Sequence, residues 1–325
     1  MRAARCVEYG PPSSVVVLDV PDPEPAAGQV VVDVAYAAVN FPDVLLVADR
    51  YQVHLPVPFT VGSEFAGTVR SVGPGVDGTT VGDRVMGSAL CGAFAEQVAV
   101  PATSLQAVDP AVDLAVAAAS GVAHQTAYHA LRSVARVHPG EWVVVLGAAG
   151  GVGLATVQLG AALGARVVAV ASTRAKVDLC TRRGAEVGVD YATEDLKARI
   201  KEVSGGGADV VVDPVGGPAS EEALRALSWG GRFVTVGFAS GEIPRIPLNL
   251  VLLKGVWVTG FTMEGFGRNQ AADRERDLAE LAELARTGRA VPHISATYPL
   301  ERVGRALADL DERRATGKVL VDPTR

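Results

Sequence analysis

The segment Trp142-Val-Val-Val-Leu-Gly-Ala-Ala-Gly-Gly-Val-Gly153 joins an apolar strand pattern to a helical pattern through a turn with almost no side chains. Backbone N–H groups at the start of such a helix can approach phosphate oxygens, because no Cβ holds the ligand away. Ala148, Gly150 and Gly153 take the three positions of the dinucleotide-binding fingerprint, with the first relaxed to alanine. We therefore expect a dinucleotide pyrophosphate to bind at this turn. The residues expected to bind it are Gly150, Gly151, Val152 and Gly153.

The residues after this turn complete a strand–helix–strand unit. Residues 154–164 place Leu154, Val157 and Leu159 at helical spacing, and residues 166–171 are typical of a buried parallel strand. A glycine-rich turn without a ligand is the alternative, but the fingerprint gains weight from this context. The pattern predicts a Rossmann βαβ unit.

The second strand of this unit ends where dinucleotide-binding proteins choose between NAD and NADP. An NAD site places a carboxylate there for the ribose 2′-hydroxyl, whereas this chain has Ser172-Thr-Arg-Ala-Lys176. Because hydroxyl groups and cations attract a phosphate, Ser172 and Lys176 are predicted to contact a 2′-phosphate, and NADPH is expected in preference to NADH. The alternative is a solvated first helical turn whose charges have no ligand.

Length and composition indicate a globular enzyme with two domains. The chain has 325 residues, 49% of them hydrophobic and 20% charged, with a net charge of −6, so we expect no nucleic-acid partner. The uncharged segment 142–165 is long enough for a membrane span, but its six glycines and strand–turn–helix pattern explain it better. The N-terminus lacks an apolar signal core and three cysteines are too few for a disulfide framework, which favours a cytoplasmic protein.

The chain is expected to form an α/β fold with two domains. Short strands separated by Pro and Gly predict a small β-barrel in residues 1–122, and alternating strands and helices predict a doubly wound parallel sheet in residues 123–291. Residues 292–325 are expected to return to the first domain, and substrate is expected to meet the cofactor between the domains. The strands predicted first are Ala3–Glu8, Val15–Asp19, Gln29–Ala38, Phe65–Val72, Asp83–Gly87 and Phe94–Val100. The later ones are Val187–Asp190, Asp209–Asp213, Arg232–Gly237 and Val256–Phe261.

Several phrases in order along the chain resemble the zinc-independent NADPH:quinone oxidoreductase family of the medium-chain dehydrogenase/reductase superfamily. The phrases are Val39-Asn-Phe-Pro-Asp43, Pro58-Phe-Thr-Val-Gly-Ser-Glu64, Gly82-Asp-Arg-Val-Met86, Gly147-Ala-Ala-Gly-Gly-Val-Gly153, Asp213-Pro-Val-Gly-Gly217 and Thr316-Gly-Lys-Val319. This resemblance covers essentially the full length. It implies a GroES-like N-terminal domain, a Rossmann domain that binds NADPH, and a homodimer formed through the sheet edge near residues 256–260.

The residues argue against a catalytic zinc ion. A zinc alcohol dehydrogenase needs thiolate and imidazole ligands and an open coordination position. Asn40 and Gly62-Ser63-Glu64 stand where zinc-containing relatives carry Cys and a Gly-His-Glu phrase. A second, structural zinc would need four cysteines, and the chain has three. No metal is predicted.

Without a Lewis acid, hydride transfer to an electron-poor acceptor needs only orientation and modest stabilisation of an oxyanion. Quinones and conjugated carbonyl compounds meet that description. Asn40 is the candidate for contact with the nicotinamide or the substrate carbonyl, Asp43 for orienting Asn40, and Tyr51 for donating a proton to the oxyanion. In the alternative reading, Asn40 and Asp43 cap a helix that starts at Phe41-Pro42, and Tyr51 only packs.

The family pattern implies further cofactor contacts. It places Thr126 near the nicotinamide phosphate, and Lys176 and Tyr191 around the 2′-phosphate. Each of these residues also has an interpretation as an ordinary buried or surface residue. The remaining residues implied to contact the cofactor are Asn40, Phe238, Phe261 and Lys318.

The leading functional hypothesis is NADPH-dependent reduction of quinones or related conjugated carbonyl compounds. An enoyl reductase that saturates the C=C bond of an unsaturated ketone or acyl thioester is the nearest alternative. A non-catalytic NADPH-binding protein is an alternative of another class, since fold does not imply function. His124 departs from the family pattern and is expected to be a surface or capping residue rather than a proton donor.

Overall fold

The computed structural model describes all residues, Met1–Arg325. The chain divides into two compact units. The first unit contains Met1–Val122 and Pro292–Arg325, and the second contains Ala123–Val291.

Residues 1–122 are mostly short β-strands. The strands are β1 (Arg2–Cys6), β2 (Val15–Asp19), β3 (Gln29–Val39), β4 (Phe59–Thr60), β5 (Glu64–Val72), β6 (Arg84–Ser88), β7 (Gln97–Pro101) and β8 (Leu105–Ala107). Two helices, α1 (Phe41–Val47) and α2 (Leu114–Ser120), follow β3 and β8 respectively. Helix α1 begins at a proline-containing first turn, and Asp113 caps α2 by accepting the N–H of Ala115.

Residues 123–291 alternate strands and helices after a helical entry segment. That segment is α3 (Val122–His129), followed by a π-helical turn at Ala130–Val134. The strands that follow are β9 (Trp142–Val145), β10 (Arg166–Ala171), β11 (Val187–Asp190), β12 (Ala208–Asp213), β13 (Leu227–Thr235) and β14 (Trp257–Gly260). The helices are α4 (Gly151–Ala162), α5 (Arg174–Arg182), α6 (Leu196–Val203), α7 (Pro218–Arg225), α8 (Leu248–Lys254), α9 (Met263–Asn269) and α10 (Ala271–Arg286).

The chain then returns to the first unit. Its last elements are β15 (Ile294–Pro299), α11 (Val303–Asp311) and β16 (Lys318–Asp322). Strand β16 pairs antiparallel with β3, so Val319 lies opposite Val39 at the end of β3. The first unit contains a three-stranded sheet in the order β2-β1-β4 and a seven-stranded sheet in which β15-β16-β3-β5-β6-β8 form the main path. This pairing brings Lys318, the first residue of β16, close to Asn40, which follows β3.

The second unit has the doubly wound parallel sheet that the sequence predicted. Its strand order is β11-β10-β9-β12-β13-β14, which is the Rossmann order 3-2-1-4-5-6. Apolar clusters lie on both faces of the sheet, and successive residues along β9 pack alternately into one cluster and the other. Val143 and Val145 pack in one apolar cluster, whereas Val144 and Leu146 pack in the cluster on the opposite face. Continuous valine runs in the sequence therefore correspond to strands buried on both sides.

Several element boundaries differ from the sequence prediction. Strand β13 begins at Leu227 rather than Arg232, because the strand continues through Gly230 and Gly231, which interrupt the apolar pattern. In the returning segment, a 3₁₀ turn at Leu300–Arg302 leads directly into α11. The uncharged segment 142–165 forms β9, the glycine turn and α4. None of the helices has both the length and the apolar composition needed to cross a membrane.

Candidate active site

The glycine turn forms an open helix N-terminus. Gly150 is the N-cap of α4, and no side chain caps the helix there, so the first backbone N–H groups of α4 have no partner within the helix. A Cβ on Gly153 would lie 2.2 Å from the carbonyl oxygen of Gly147, which explains the glycine by close packing. A Cβ on Gly150 would meet only that same oxygen, at 3.4 Å, and would otherwise occupy open space. The turn therefore fits a pyrophosphate that approaches the backbone closely.

Other cofactor candidates of the second unit also follow strands of the parallel sheet. Ser172 comes directly after β10 and Tyr191 directly after β11, and the last residues of these strands, Ala171 and Asp190, are paired neighbours. The backbone N–H of Tyr191 donates to the carbonyl oxygen of Ala171. Ser172 and Tyr191 therefore lie at the same carboxyl edge of the sheet as the glycine turn, where ligands of such sheets bind.

Helix α5 begins beside Ser172. The Thr173 side chain caps this helix by accepting the N–H of Lys176 at 3.3 Å. Lys176 is half-buried, whereas Arg174 is exposed and forms an ion pair with Asp178 at 2.9 Å. Arg174 therefore has an acidic partner, and Lys176 lies on the first turn of α5, near Ser172.

Phe238 and Phe261 follow β13 and β14, which are also neighbours in the sheet. Phe238 is 38% exposed, whereas Phe261 is half-buried and packs edge-on against Phe266 at a ring distance of 5.7 Å. Phe238 thus offers an open aromatic surface near this edge, and Phe261 is largely part of the core.

Helix α3 is more deeply buried than the sequence suggested. Thr126 is 7% exposed, and His124, expected at the surface or at a cap, is 3% exposed, so that expectation was wrong. The helix lies in the interior because Ala127 and Tyr128 pack in an apolar cluster of the second unit, and a second buried histidine, His129 at its end, forms a hydrogen bond with Asp277 of α10 at 2.8 Å. Burial opposes ionisation of Asp277, but hydrogen bonds from His129, Ser133 and Arg276 hold the pKa of its carboxyl below the usual value.

A buried polar network in the first unit surrounds Asn40. The Lys318 ammonium donates to Asn40 Oδ1 at 2.6 Å and to Glu64 Oε2 at 3.0 Å. The Asn40 amide Nδ2 donates to the same Glu64 oxygen at 2.9 Å and to the carbonyl oxygen of Ala38 at 3.2 Å. The other Glu64 oxygen accepts the backbone N–H of Val122 at 2.7 Å. Asn40, Glu64 and Lys318 form what we term the Asn40 network, and each is less than 8% exposed.

Asp43 lies beside this network at the start of α1. Its Oδ2 atom accepts the backbone N–H of Asn40 at 2.7 Å, the helix-capping role that was the alternative to catalysis. Burial raises the pKa of the Asp43 carboxyl to about 7, although the Asn40 N–H, the Ser63 hydroxyl and the Lys318 charge oppose that rise. Asp43 therefore changes its protonation state close to neutral pH.

Tyr51 and Lys318 lie in different surroundings. Tyr51 is half-buried in the segment after α1 and packs against the apolar core of the first unit. Lys318, implied by the family pattern to reach the cofactor, is 3% exposed, and its ammonium donates to groups of the first unit. Sequence reasoning gave no role to Glu64, although it stands in the quoted Gly62-Ser63-Glu64 phrase. A glutamate directly before the apolar strand pattern Phe65–Val72 was the available signal.

The side chains near Asn40 are a weak donor set for a metal ion. Nowhere in the structure do three His, Cys, Asp or Glu side chains come together in an arrangement that could hold a metal. Cys91 lies near Asp43, and burial, with a smaller contribution from the Asp43 charge, raises the pKa of its thiol, which disfavours the thiolate that zinc requires. The positive charge next to Glu64 is the ammonium of Lys318.

Comparisons with known proteins agree with this architecture. A family model described as the alcohol dehydrogenase GroES-like domain matches residues 26–110, and one described as zinc-binding dehydrogenase matches residues 151–283. The mouse quinone oxidoreductase-like protein 2 is 36% identical over 323 residues, which cover 98% of this chain and 91% of that protein.

Solved structures give the same result. The Escherichia coli quinone oxidoreductase complexed with NADPH superposes with a TM-score of 0.93 at 29% identity, covering 99% of this chain and 100% of the other. A mycobacterial protein complexed with NADPH superposes with a TM-score of 0.92 at 33% identity, with the same coverage. The predicted fold class, a GroES-like domain with a Rossmann domain, is confirmed. The chain belongs to the quinone oxidoreductase family of the medium-chain dehydrogenase/reductase superfamily.

Proposed function

We propose that this protein is an NADPH-dependent oxidoreductase that reduces quinones or related conjugated carbonyl compounds without a metal ion. The observation that carries the acceptor class is the Asn40 network, in which a lysine ammonium rather than a metal ion balances a buried carboxylate. Similarity to quinone oxidoreductases that were crystallised with NADPH supports the same assignment.

The second unit would hold the cofactor through its backbone and a few side chains. The N–H groups at the start of α4 bind the pyrophosphate, and Ser172, Lys176 and Tyr191 bind the 2′-phosphate. The open aromatic face of Phe238 and the buried hydroxyl of Thr126 are proposed to bound the remainder of the cofactor. When bound, NADPH supplies the hydride for the reduction.

The first unit would supply the proton. Reduction of a quinone by a hydride leaves negative charge on one carbonyl oxygen, and one proton must reach that oxygen to complete the hydroquinone. We assign this proton donation to the phenol of Tyr51, because Tyr51 is half-buried and its hydroxyl has no hydrogen-bond partner within the protein in this structure. A general acid of this kind contributes about 10²–10⁴-fold to the rate.

Metal-independence is supported by the chemistry of the residues around Asn40. Glu64 is the carboxylate that accepts a hydrogen bond from the Asn40 side-chain amide, and the Lys318 ammonium lies 3.0 Å from it. A divalent cation at this place would face that ammonium and a neutral amide. Elemental analysis of the purified protein should find less than about 0.1 zinc ion per chain. Full quinone reduction after chelation is expected, and a stoichiometric zinc ion whose removal abolishes activity would contradict the proposal.

The acceptor class is tested by steady-state NADPH oxidation. The protein is assayed in parallel with 1,4-benzoquinone, 9,10-phenanthrenequinone and a crotonyl thioester. We expect turnover with the quinones and little with the thioester. Turnover with the thioester alone would instead assign an enoyl reductase, and tight NADPH binding with no oxidation of any acceptor would indicate a non-catalytic protein.

The 2′-phosphate site is tested by two substitutions in one helical turn. Lys176→Ala should weaken NADPH binding about tenfold or more and leave NADH binding unchanged, because a hydrogen bond to a charged group contributes about 1.5–3 kcal/mol. Arg174→Ala is the matched control, since Arg174 already pairs with Asp178, and should change the NADPH dissociation constant less than about threefold. Calorimetric titration measures both. Equal losses of NADH and NADPH affinity in Lys176→Ala would contradict the assignment.

We also propose that two copies of the chain associate through the edge of the parallel sheet. Strand β14 is the last strand of that sheet, and it and helix α8 carry large exposed apolar side chains. The most exposed of these are Leu248 at 80% and Leu252 at 78% in α8 and Trp257 at 72% in β14, with Trp229 at 78% on neighbouring β13. A bare edge strand rimmed by apolar side chains is suited to pairing with a second copy about a two-fold axis.

Sedimentation velocity tests this association. The wild-type protein should sediment as a dimer, and Trp257→Glu should sediment as a monomer because it places a charge in the apolar edge. Val81→Glu is the matched control, since Val81 is 66% exposed in the first unit, and it should remain dimeric. A wild-type monomer at micromolar concentration would contradict the proposal.

A further inference from the structure

Glu64 joins three separate segments of the first unit. Its carboxylate is 1% exposed and accepts hydrogen bonds from the Asn40 amide, the Lys318 ammonium and the backbone N–H of Val122. Gly121 leaves room for this arrangement, because a Cβ there would lie 2.7 Å from Glu64 Oε1. Each carboxylate oxygen therefore has at least one donor, as buried charged groups require.

The partners of Asn40 determine which way its amide points. An ammonium group can only donate, so the Asn40 atom 2.6 Å from Lys318 Nζ must be the carbonyl oxygen. An ionised carboxylate can only accept, so the atom 2.9 Å from Glu64 Oε2 must be the amide nitrogen. The reversed amide would set its nitrogen against the ammonium and its oxygen against the carboxylate. Glu64 and Lys318 together therefore exclude it.

Both hydrogens of the Asn40 amide are used within the protein. One is donated to Glu64 and the other to the carbonyl oxygen of Ala38 at 3.2 Å. The amide oxygen has two acceptor positions, and one of them takes the Lys318 ammonium. What Asn40 can still offer to a ligand is one acceptor position on Oδ1.

We infer that Glu64 is a positioning residue that, together with Lys318, holds Asn40 as a hydrogen-bond acceptor for an N–H or O–H group of the bound ligand. This inference rests on the proposed function for its kinetic consequence only. It also excludes Asn40 as the group that stabilises the oxyanion, because both hydrogens of its amide are already donated within the protein. Asn40 orients the ligand by accepting, and the proton comes from another residue.

The amide hydrogens can be observed directly. The chain contains three asparagines, Asn40, Asn249 and Asn269, so selective ¹⁵N labelling of asparagine gives three side-chain NH₂ groups. Asn249 and Asn269 are exposed and serve as internal controls. The NH₂ signals of Asn40, assigned by their loss in Asn40→Leu, should exchange with solvent at least about tenfold more slowly than those of the controls. Exchange of Asn40 at the rate of the exposed asparagines would overturn the inference, whether or not the protein reduces quinones.

A kinetic comparison tests the positioning role. In Glu64→Gln, no orientation of the new amide satisfies the Val122 N–H, the Lys318 ammonium and the Asn40 amide together, so the Asn40 side chain is held less firmly. We expect kcat to fall about tenfold or more, because misorientation affects the reacting complex. The dissociation constant of NADPH should change less than about threefold, because the contacts assigned to the phosphates lie elsewhere.

The matched control is Glu96→Gln, which removes another glutamate that is hydrogen-bonded to a cation, Arg2, away from Asn40. It should leave both kcat and the NADPH dissociation constant within about twofold of wild type. Unchanged kcat in a folded Glu64→Gln protein would refute the positioning role. If the wild-type protein fails to reduce quinones, the proposed function fails, while the exchange measurement on the wild-type chain still tests whether both hydrogens of the Asn40 amide are held within the protein.

Discussion

The glycine turn of the second unit and the Asn40 network of the first unit are built in opposite ways. The turn works because side chains are missing, so that a helix N-terminus is open to a ligand. The network works because side chains from three segments and a backbone N–H from a fourth meet in the interior and satisfy one another's hydrogen bonds. An added Cβ in the glycine turn would obstruct the ligand or the packing of the turn. Loss of one partner in the Asn40 network would leave a buried charged or polar group unpaired.

The largest expected effect comes from removing one partner of the network. Lys318→Met leaves the Glu64 carboxylate buried without its cation and should lower the free energy of unfolding by about 3–5 kcal/mol. Urea denaturation measures this. Arg70→Met is the control, because Arg70 pairs with Asp33 at the surface at 3.4 Å, and it should cost less than about 1 kcal/mol. Equal losses in both variants would mean that the buried pair has no special role in stability.

Two alanine substitutions separate the packing role of Gly153 from the ligand-binding role proposed for Gly150. Gly153→Ala sets a Cβ against the Gly147 carbonyl oxygen and should lower the free energy of unfolding by about 1–3 kcal/mol or more. Gly150→Ala points its Cβ into open space, so the protein should keep its stability and lose about tenfold or more in NADPH affinity, or about 1.4 kcal/mol. Thermal unfolding and NADPH titration of both variants separate packing from ligand access. If Gly150→Ala binds NADPH as the wild type does, the pyrophosphate does not lie at this helix start.

A smaller effect, on the pH dependence of stability, is expected from Asp43, which lies beside the Asn40 network. The folded-state pKa of Asp43 is about 7, above its ordinary value, so the folded state binds a proton that the unfolded state has released. Stability should therefore fall as pH rises from about 4 to about 7 and level off above that, by at most about 1.4 kcal/mol per pH unit. Asp43→Asn removes the titrating group and should gain stability relative to wild type across this range.

Urea denaturation of both proteins at several pH values measures the difference. Asp77→Asn, a substitution at an exposed loop position, controls for the loss of one negative charge and should show a difference from wild type that does not vary with pH. A constant difference between Asp43→Asn and wild type would show that Asp43 is ionised throughout.

The two regions also differ in how much of them the sequence reveals. The glycine turn lies in twelve consecutive residues, numbers 142–153, so its chemistry can be recognised from a short segment, and the parallel sheet around it follows from valine runs. The Asn40 network could not be recognised in this way, because Lys318 and Glu64 are 254 residues apart and meet only when β16 pairs with β3. The family resemblance implied a cofactor contact for Lys318, and sequence reasoning gave Glu64 no role.

Helix ends and short helices were also difficult to predict. No helix was predicted for residues 263–269, but they form α9, whose start Thr262 caps by accepting the N–H of Gly265. A short helix of this kind is stabilised by its cap and by tertiary packing of Phe266 rather than by periodicity. His124 was misplaced for a related reason, since only the fold shows that α3 is buried.

The exposed sheet edge gives the protein a built-in optical reporter. Of the three tryptophans, Trp142 is buried with Arg166 over its ring, whereas Trp229 and Trp257 both lie on the open edge. Indole emission moves to shorter wavelength when water leaves the ring, so the emission maximum of the intrinsic fluorescence reports whether a second copy covers that edge. Dilution of the unlabelled protein should therefore shift its emission spectrum in step with dissociation, while the signal from Trp142 stays constant.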